Sequence, residues 1–164
     1  MDDKQLPIQR EQLDLRALCA DVLEHLQPAA DSAGVKIFLE GESQWVSGAR
    51  QIADEMIYNL CDNAIKYNRP GGTVCVRLEP REEEAVALSV EDTGIGIPQE
   101  HQGRVFERFY RVDKNRSREI GGTGLGLAIA KEIVELHGGT IAAESQDEHI
   151  AFTVRLPRAL QKNV

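Results

Sequence analysis

Residues 49–67 read A-R-Q-I-A-D-E-M-I-Y-N-L-C-D-N-A-I-K-Y, and the fold turns on how this stretch wraps. At about 100° per residue, Met56, Ile57, Leu60, Cys61 and Ala64 share one arc of a helix, while Asn59, Asn63 and Lys66 fall within roughly 60° beside it. Such a helix lays its apolar arc on a sheet and presents two amides and an ammonium along the edge of the contact. The turn chemistry of N-R-P-G-G at 68–72 ends it. Residues 73–79 and 85–91 then read as two β-branched strands around the charged turn 80–84, a β-hairpin.

Upstream, Leu15, Leu18, Cys19, Val22, Leu26 and Ala29/Ala30 recur at three- and four-residue steps over 14–33. They describe an amphipathic helix interrupted near Pro28. Residues 35–39 form a short strand, and 41–48 a polar connection. Downstream, 93–123 has little sustained periodicity, although 100–108 fits one or two helical turns; a connection that long is uncommon unless functional or disordered. Residues 124–137 make a third helix with Gly138-Gly139 as its stop. Residues 140–144 and 150–156 pair as a final hairpin, and 157–164 read as a frayed tail. The sum is α+β: a two-layer α/β sandwich whose mixed, mostly antiparallel sheet of about five strands is covered on one face by three helices.

With 27 acidic against 19 basic residues among 164, the net charge is -8, and the basic residues do not cluster, which excludes a nucleic-acid surface. A polyphosphate ligand would need locally placed cations, backbone N–H groups and metal, because the overall field opposes its approach. Cys19, Cys61 and Cys75 are odd in number and far apart, which argues against a disulfide framework or zinc site and for a reducing cytosol. Nothing resembles a signal peptide, and the apolar runs fall far short of the ~20 residues that span a bilayer.

Three segments carry chemistry. The stripe of Asn59, Asn63 and Lys66 can ligate a hard cation and neutralise phosphate, or can be a solvated helix face. E-D-T-G-I-G-I-P at 91–98 sets Asp92 at a strand end, where a fixed carboxylate can accept from an exocyclic amine such as that of adenine, with Gly94 and Gly96 in the turn. G-G-T-G-L-G-L-A-I at 121–129 enters the third helix, whose N–H groups and dipole can hold an anion. It lacks the G-K-[ST] ending of a P-loop, and no strand feeds it as a Rossmann motif requires.

In order and spacing these segments resemble the boxes of the histidine kinase catalytic domain, in the wider family of gyrase, Hsp90 and MutL ATPases. Residues 59–67 are similar to the N box, 92–98 to the first glycine box, V-F-E-R-F-Y-R at 105–111 to the F box with Phe106 and Phe109, and 122–127 to the second glycine box. F-T-V-R-L-P at 152–157 resembles the family's closing strand. The resemblance implies that Asn63, with Asn59 beside it, holds Mg²⁺ at the phosphates of ATP or ADP, that Lys66 contacts a phosphate and that Tyr67 flanks the nucleotide. Asp92 would take the adenine amine, with Gly94 and Gly96 in its turn and Thr153 supporting the base through water. Gly122, Thr123, Gly124, Leu125 and Gly126 would line the phosphates, and Arg111 and Arg116 would reach them from a lid at about 98–122. Lys114 and Arg118 read as solvated charges, and Phe106 and Phe109 as anchors seating the lid. Residues 99–121 are expected to gain order with ATP.

The same resemblance sets the domain limits: a linker remnant at 1–12, the catalytic ATP-binding domain at 13–158 and a tail at 159–164. Gyrase-type relatives place a glutamate base where this chain has Asn59, and an amide is no general base, so simple hydrolysis is disfavoured; Glu55 lies one turn too early. Anti-sigma serine kinases lack an F box of this kind. A catalytically degenerate regulatory module and an interaction domain with a dead pocket compete with the kinase reading, and against both stand Asp92 and the glycines, which are intact. None of His25, His101, His137 and His149 sits in a phospho-acceptor motif; His137 reads as a helix-end cation or cap and the others as surface residues. The resemblance therefore implies partners: a phospho-accepting dimerisation domain upstream in the same parent and a response regulator. It also implies a monomeric, cytoplasmic piece of a parent anchored in the bacterial inner membrane.

Overall fold

The computed structural model describes residues 9–82, 84–94, 104–108, 125–146 and 149–159. Ten elements follow in chain order: β1 Glu11–Asp14, α1 Leu15–Ala33, β2 Lys36–Glu40, β3 Trp45–Gly48, α2 Arg50–Lys66, β4 Thr73–Arg81, β5 Ala85–Asp92, α3 Gly126–Leu136, β6 Thr140–Gln146 and β7 His149–Pro157. Five strands form one sheet in the order β2-β4-β5-β7-β6, and β1 and β3 form a second, two-stranded sheet. The β2–β4 pair is parallel and the other neighbours are antiparallel. The parallel pair is joined by a crossover that carries β3 and α2 between β2 and β4. The mixed α+β sandwich read from the sequence is the observed fold.

The helices cover one face of the sheet. Val74, Val76 and Leu78 of β4, Val86, Leu88 and Val90 of β5, and Ile150, Phe152, Val154 and Leu156 of β7 are buried. They meet Leu18, Val22 and Leu26 of α1, Met56, Leu60 and Cys61 of α2, and Ile133 and Val134 of α3 in one core. Alternation sends their neighbours, including Ser89, Glu91, Thr153 and Arg155, to the opposite face.

Several expectations are corrected. Helix α1 runs through Pro28 to Ala33. Pro28 and its neighbours Gln27 and Ala29 face solvent, so the carbonyl deprived of its partner can be hydrated, while Leu26 and Ala30 carry the buried stripe past it. The stop is Gly34, left-handed at φ 72°. The limit between 12 and 13 falls inside β1, which pairs Glu11 with Gly48 and Asp14 with Trp45. The polar connection at 41–48 thus ends in a strand. Arg10, placed in the linker, donates to Ser47 O at 2.9 Å and Leu136 O at 3.0 Å. The tail is held through Ala159: Arg158 N–H donates to Glu84 O at 2.7 Å and Ala159 N–H to Trp45 O at 2.9 Å.

His137 is the C-cap of α3, as one of its two readings has it, and not a helix-end cation. It is buried, its Nδ1–H faces Ile133 O at 2.8 Å and its Nε2 accepts the Ala49 N–H at 3.1 Å. Burial holds its pKa below the usual value, with Arg10 opposing protonation as well. A neutral ring thus joins the end of α3 to the start of α2. Gly48 lies against that ring, where a Cβ would stand 2.5 Å from Cδ2.

Candidate nucleotide site

At the C-terminal end of β5, Asp92 points to the helix side and is 2% exposed. One carboxylate oxygen accepts the Gly94 N–H at 2.8 Å. Burial pushes its pKa up to about 7 against that hydrogen bond, which lowers it. A desolvated acceptor of this kind is under-satisfied and gains from any donor that reaches it. Gly94 presses on the end of α2, since a Cβ there would lie 2.4 Å from Tyr67 O and 2.9 Å from the Asp92 carboxylate. Tyr67, the C-cap of α2, thereby borders the Asp92 turn.

Along α2, Asn59, Asn63 and Tyr67 are half-buried and Lys66 is exposed. The Lys66 ammonium is paired with Asp62 at 3.1 Å, so a phosphate would have to draw it from a surface ion pair of small worth. Asn59 Nδ2 is buried with no hydrogen-bond partner. The start of α3 lies close by, a Cβ on Gly126 standing 3.9 Å from the Asn59 side chain. Leu125, the N-cap of α3, makes no side-chain cap hydrogen bond, and the first turn of a helix is where backbone N–H groups point at an anion. The strand end meets the C-terminal end of α2, and the α3 entry lies along the same helix at Asn59.

The donor set fits Mg²⁺ of one kind. Asn59 and Asn63 offer neutral amide oxygens, the orphaned Asn59 amide has no bond holding its orientation, and among the described residues no group of three or more His, Cys, Asp or Glu could hold a metal. Such a site suits a cation arriving with most of its ligands supplied by phosphate and water.

Thr153 does not join the set. It pairs with Ser89, its Oγ1 lying 3.4 Å from Ser89 Oγ, on the face away from the helices. Ile150, opposite Asp92 in the ladder and buried, occupies the helix-side position instead. Gly96, Arg111, Arg116, Gly122, Thr123 and Gly124 lie outside the described residues, as do His101, Phe109, Lys114, Arg118 and most of the lid. Phe106 meets the core residue Phe152 edge-on with ring centroids 6.0 Å apart, the geometry of an anchor. Sequence reasoning missed Ile150, Asn68 and Thr93. The alternation in H-I-A-F-T-V-R-L-P could have exchanged Thr153 for Ile150.

Residues 48–160 match the family described as histidine kinase-, DNA gyrase B-, and HSP90-like ATPase, and the chain belongs to that family. Within it, curated relatives include sensor histidine kinases, and this chain corresponds to their ATP-binding catalytic domain. It is 50% identical over 105 residues to sensor histidine kinase WalK of Bacillus subtilis, a match covering 63% of this chain and 17% of WalK. It is 35% identical over 156 residues to sensor histidine kinase CusS of Escherichia coli, covering 95% of this chain and 32% of CusS. The chain thus spans less than a third of either relative. The mycobacterial sensor histidine kinase MprB superposes with a TM-score of 0.82 at 29% identity, over 93% of this chain and all of that structure. Among the described residues, no helix is long and apolar enough to cross a membrane.

Proposed function

We propose that this domain holds ATP with Mg²⁺ and presents the γ-phosphoryl group to a histidine on a separate helical domain of the same parent. From there the phosphoryl would pass to an aspartate of a response regulator. Asp92 accepts the adenine amine and Tyr67 flanks the nucleotide. Asn59 and Asn63 ligate the metal, and Lys66 and the α3 entry through Leu125 and Gly126 take phosphate oxygens. Gly96, Arg111, Arg116, Gly122, Thr123 and Gly124 complete the phosphate and lid contacts. When bound, Mg²⁺ supplies charge neutralisation between the phosphates. The domain's own contribution is positioning and electrostatic stabilisation, since Asn59 cannot activate water as a base would. The stretch that precedes Leu13 leads toward the phospho-accepting domain, the parent is anchored in the bacterial inner membrane, and the separate domain is monomeric.

The observation that carries this reading is the buried Asp92 carboxylate, whose turn packs on the C-terminal end of the helix that carries Asn59 and Asn63. Calorimetric titration of ADP with and without Mg²⁺ tests it. Wild-type protein should bind saturably and more tightly with the metal, and Asp92→Ala should lose at least about a hundredfold in affinity. Folded wild-type protein that does not bind, or Asp92→Ala that binds as well as wild type, would overturn it.

A further inference from the structure

The two halves of the site are joined by a link that the nucleotide reading does not use. Asn68, one residue beyond the α2 cap, is 7% exposed. Its Oδ1 accepts the Arg69 N–H at 2.8 Å and the Thr93 hydroxyl at 3.3 Å, and its Nδ2 donates to Thr73 O at 2.9 Å. Thr93 Oγ1 in turn accepts the Thr73 N–H at 2.9 Å, and the Thr93 N–H donates to Thr73 O at 3.2 Å. Gly72 packs beneath both side chains, where a Cβ would stand 2.1 Å from Asn68 Oδ1 and 2.7 Å from Thr93 Oγ1.

Thr93 lies between Asp92, which faces the base, and Gly94, which presses on Tyr67 O. Asn68 continues from the helix that carries Asn59, Asn63 and Lys66. The Thr93–Asn68 bond is thus a side-chain tie between the backbone that aims the carboxylate and the helix that aims the phosphate ligands. A turn stabiliser alone would need only the bonds from Asn68 to Arg69 and Thr73, which are local; the tie to Thr93 spans 25 residues of sequence.

We propose that Asn68 and Thr93 are positioning residues that set the domain's preference for a purine bearing a 6-amino group, by fixing Asp92 relative to phosphates held along α2. The inference rests on the nucleotide reading above and refines it. Inosine nucleotides carry the same phosphates but present a carbonyl where adenine presents a donor, so a correctly aimed carboxylate rejects them. A carboxylate freed to shift loses that discrimination while the phosphate contacts remain.

The test is calorimetric affinity for ADP and for IDP, both with Mg²⁺, alongside the melting temperature. Wild type should prefer ADP. Thr93→Ala should weaken ADP about tenfold and IDP less than about twofold, so the ratio collapses, and Thr93→Ser, which keeps the hydroxyl, should restore it. Asn68→Ala removes the other end of the same bond, so it should lower the ratio to a similar degree and the double variant no further. A merely structural role would lower both affinities together with the melting temperature and leave the ratio unchanged, which overturns the proposal. Wild-type protein that binds no ADP overturns the nucleotide reading and the positioning role with it. Preserved ADP preference in a folded Asn68→Ala variant overturns the positioning role alone.

Discussion

At the scale of single residues, Asp92 sets a pH dependence. Its pKa is raised from 3.8 to about 7, so stability associated with the protonated form is complete below the unfolded value and is lost as pH rises through 7. At pH 8 the buried carboxylate therefore costs stability, and Asp92→Asn should raise the unfolding free energy there by about 1–3 kcal/mol, with the gain vanishing below about pH 4. Ligand binding has the opposite sign, because the ionised oxygen is the acceptor for an amine. ADP affinity should fall about tenfold from pH 8 to pH 6 in wild type and not in Asp92→Asn, which removes the nucleotide's own titration from the comparison. Calorimetry at the two pH values and denaturant titration across the range check both halves. A flat wild-type profile would place Asp92 outside the binding event.

At the scale of elements, α2 begins at Ala49, which makes no side-chain cap hydrogen bond. The Ala49 N–H goes to His137 Nε2, which satisfies the cap residue and leaves the first-turn amides without a side-chain acceptor. Ala49→Ser should add about 0.5–2 kcal/mol to stability, seen as a raised melting temperature; no gain would mean that those amides already have partners of equal worth. Most elements are legible because α2 and the two hairpins carry periods near 3.6 and 2, and α3 is a continuous apolar run stopped by Gly138-Gly139. Pro28, a breaker by local rule, does not end α1 because it lies on the solvent side of the helix. The strands β1 and β3 escape detection because four residues with one buried hydrophobic each, Leu13 or Val46, are too short a stretch to establish a period. His137 could not be read as a neutral bridge, since its partner Ala49 lies 88 residues away. The same limit hid Asn68 and Thr93, whereas the N-box stripe and Asp92 announced themselves by local spacing.

At the scale of the whole molecule, the candidate site and the two ends of the described chain lie at opposite ends of the fold. Asp92 closes β5, while Ala85 at its other end pairs with Pro157; eight strand residues separate the two by about 23 Å. Arg10 and Ala159 both bond to β3, at Ser47 and Trp45. Arg10 also holds Leu136 at the end of α3, about 15 Å along the helix from Gly126. A folded domain fused ahead of residue 9 should therefore leave ADP affinity within about twofold of wild type, measured by the same titration. A larger loss would mean that the attachment end and the nucleotide end are energetically coupled. The sheet face that the helices leave uncovered has a practical consequence. Cys19 and Cys61 are buried and Cys75 is half-exposed on that face, directly across the ladder from Glu91. Burial raises the Cys19 thiol to about 12 and that of Cys61 well above its ordinary value, which silences both toward alkylating reagents. Burial raises the Cys75 thiol as well, but it alone of the three is reachable from solvent, which makes it a handle for a fluorophore one residue along the ladder from Asp92 and on the reverse side of the sheet, where a dye can report on a ligand without standing in its way.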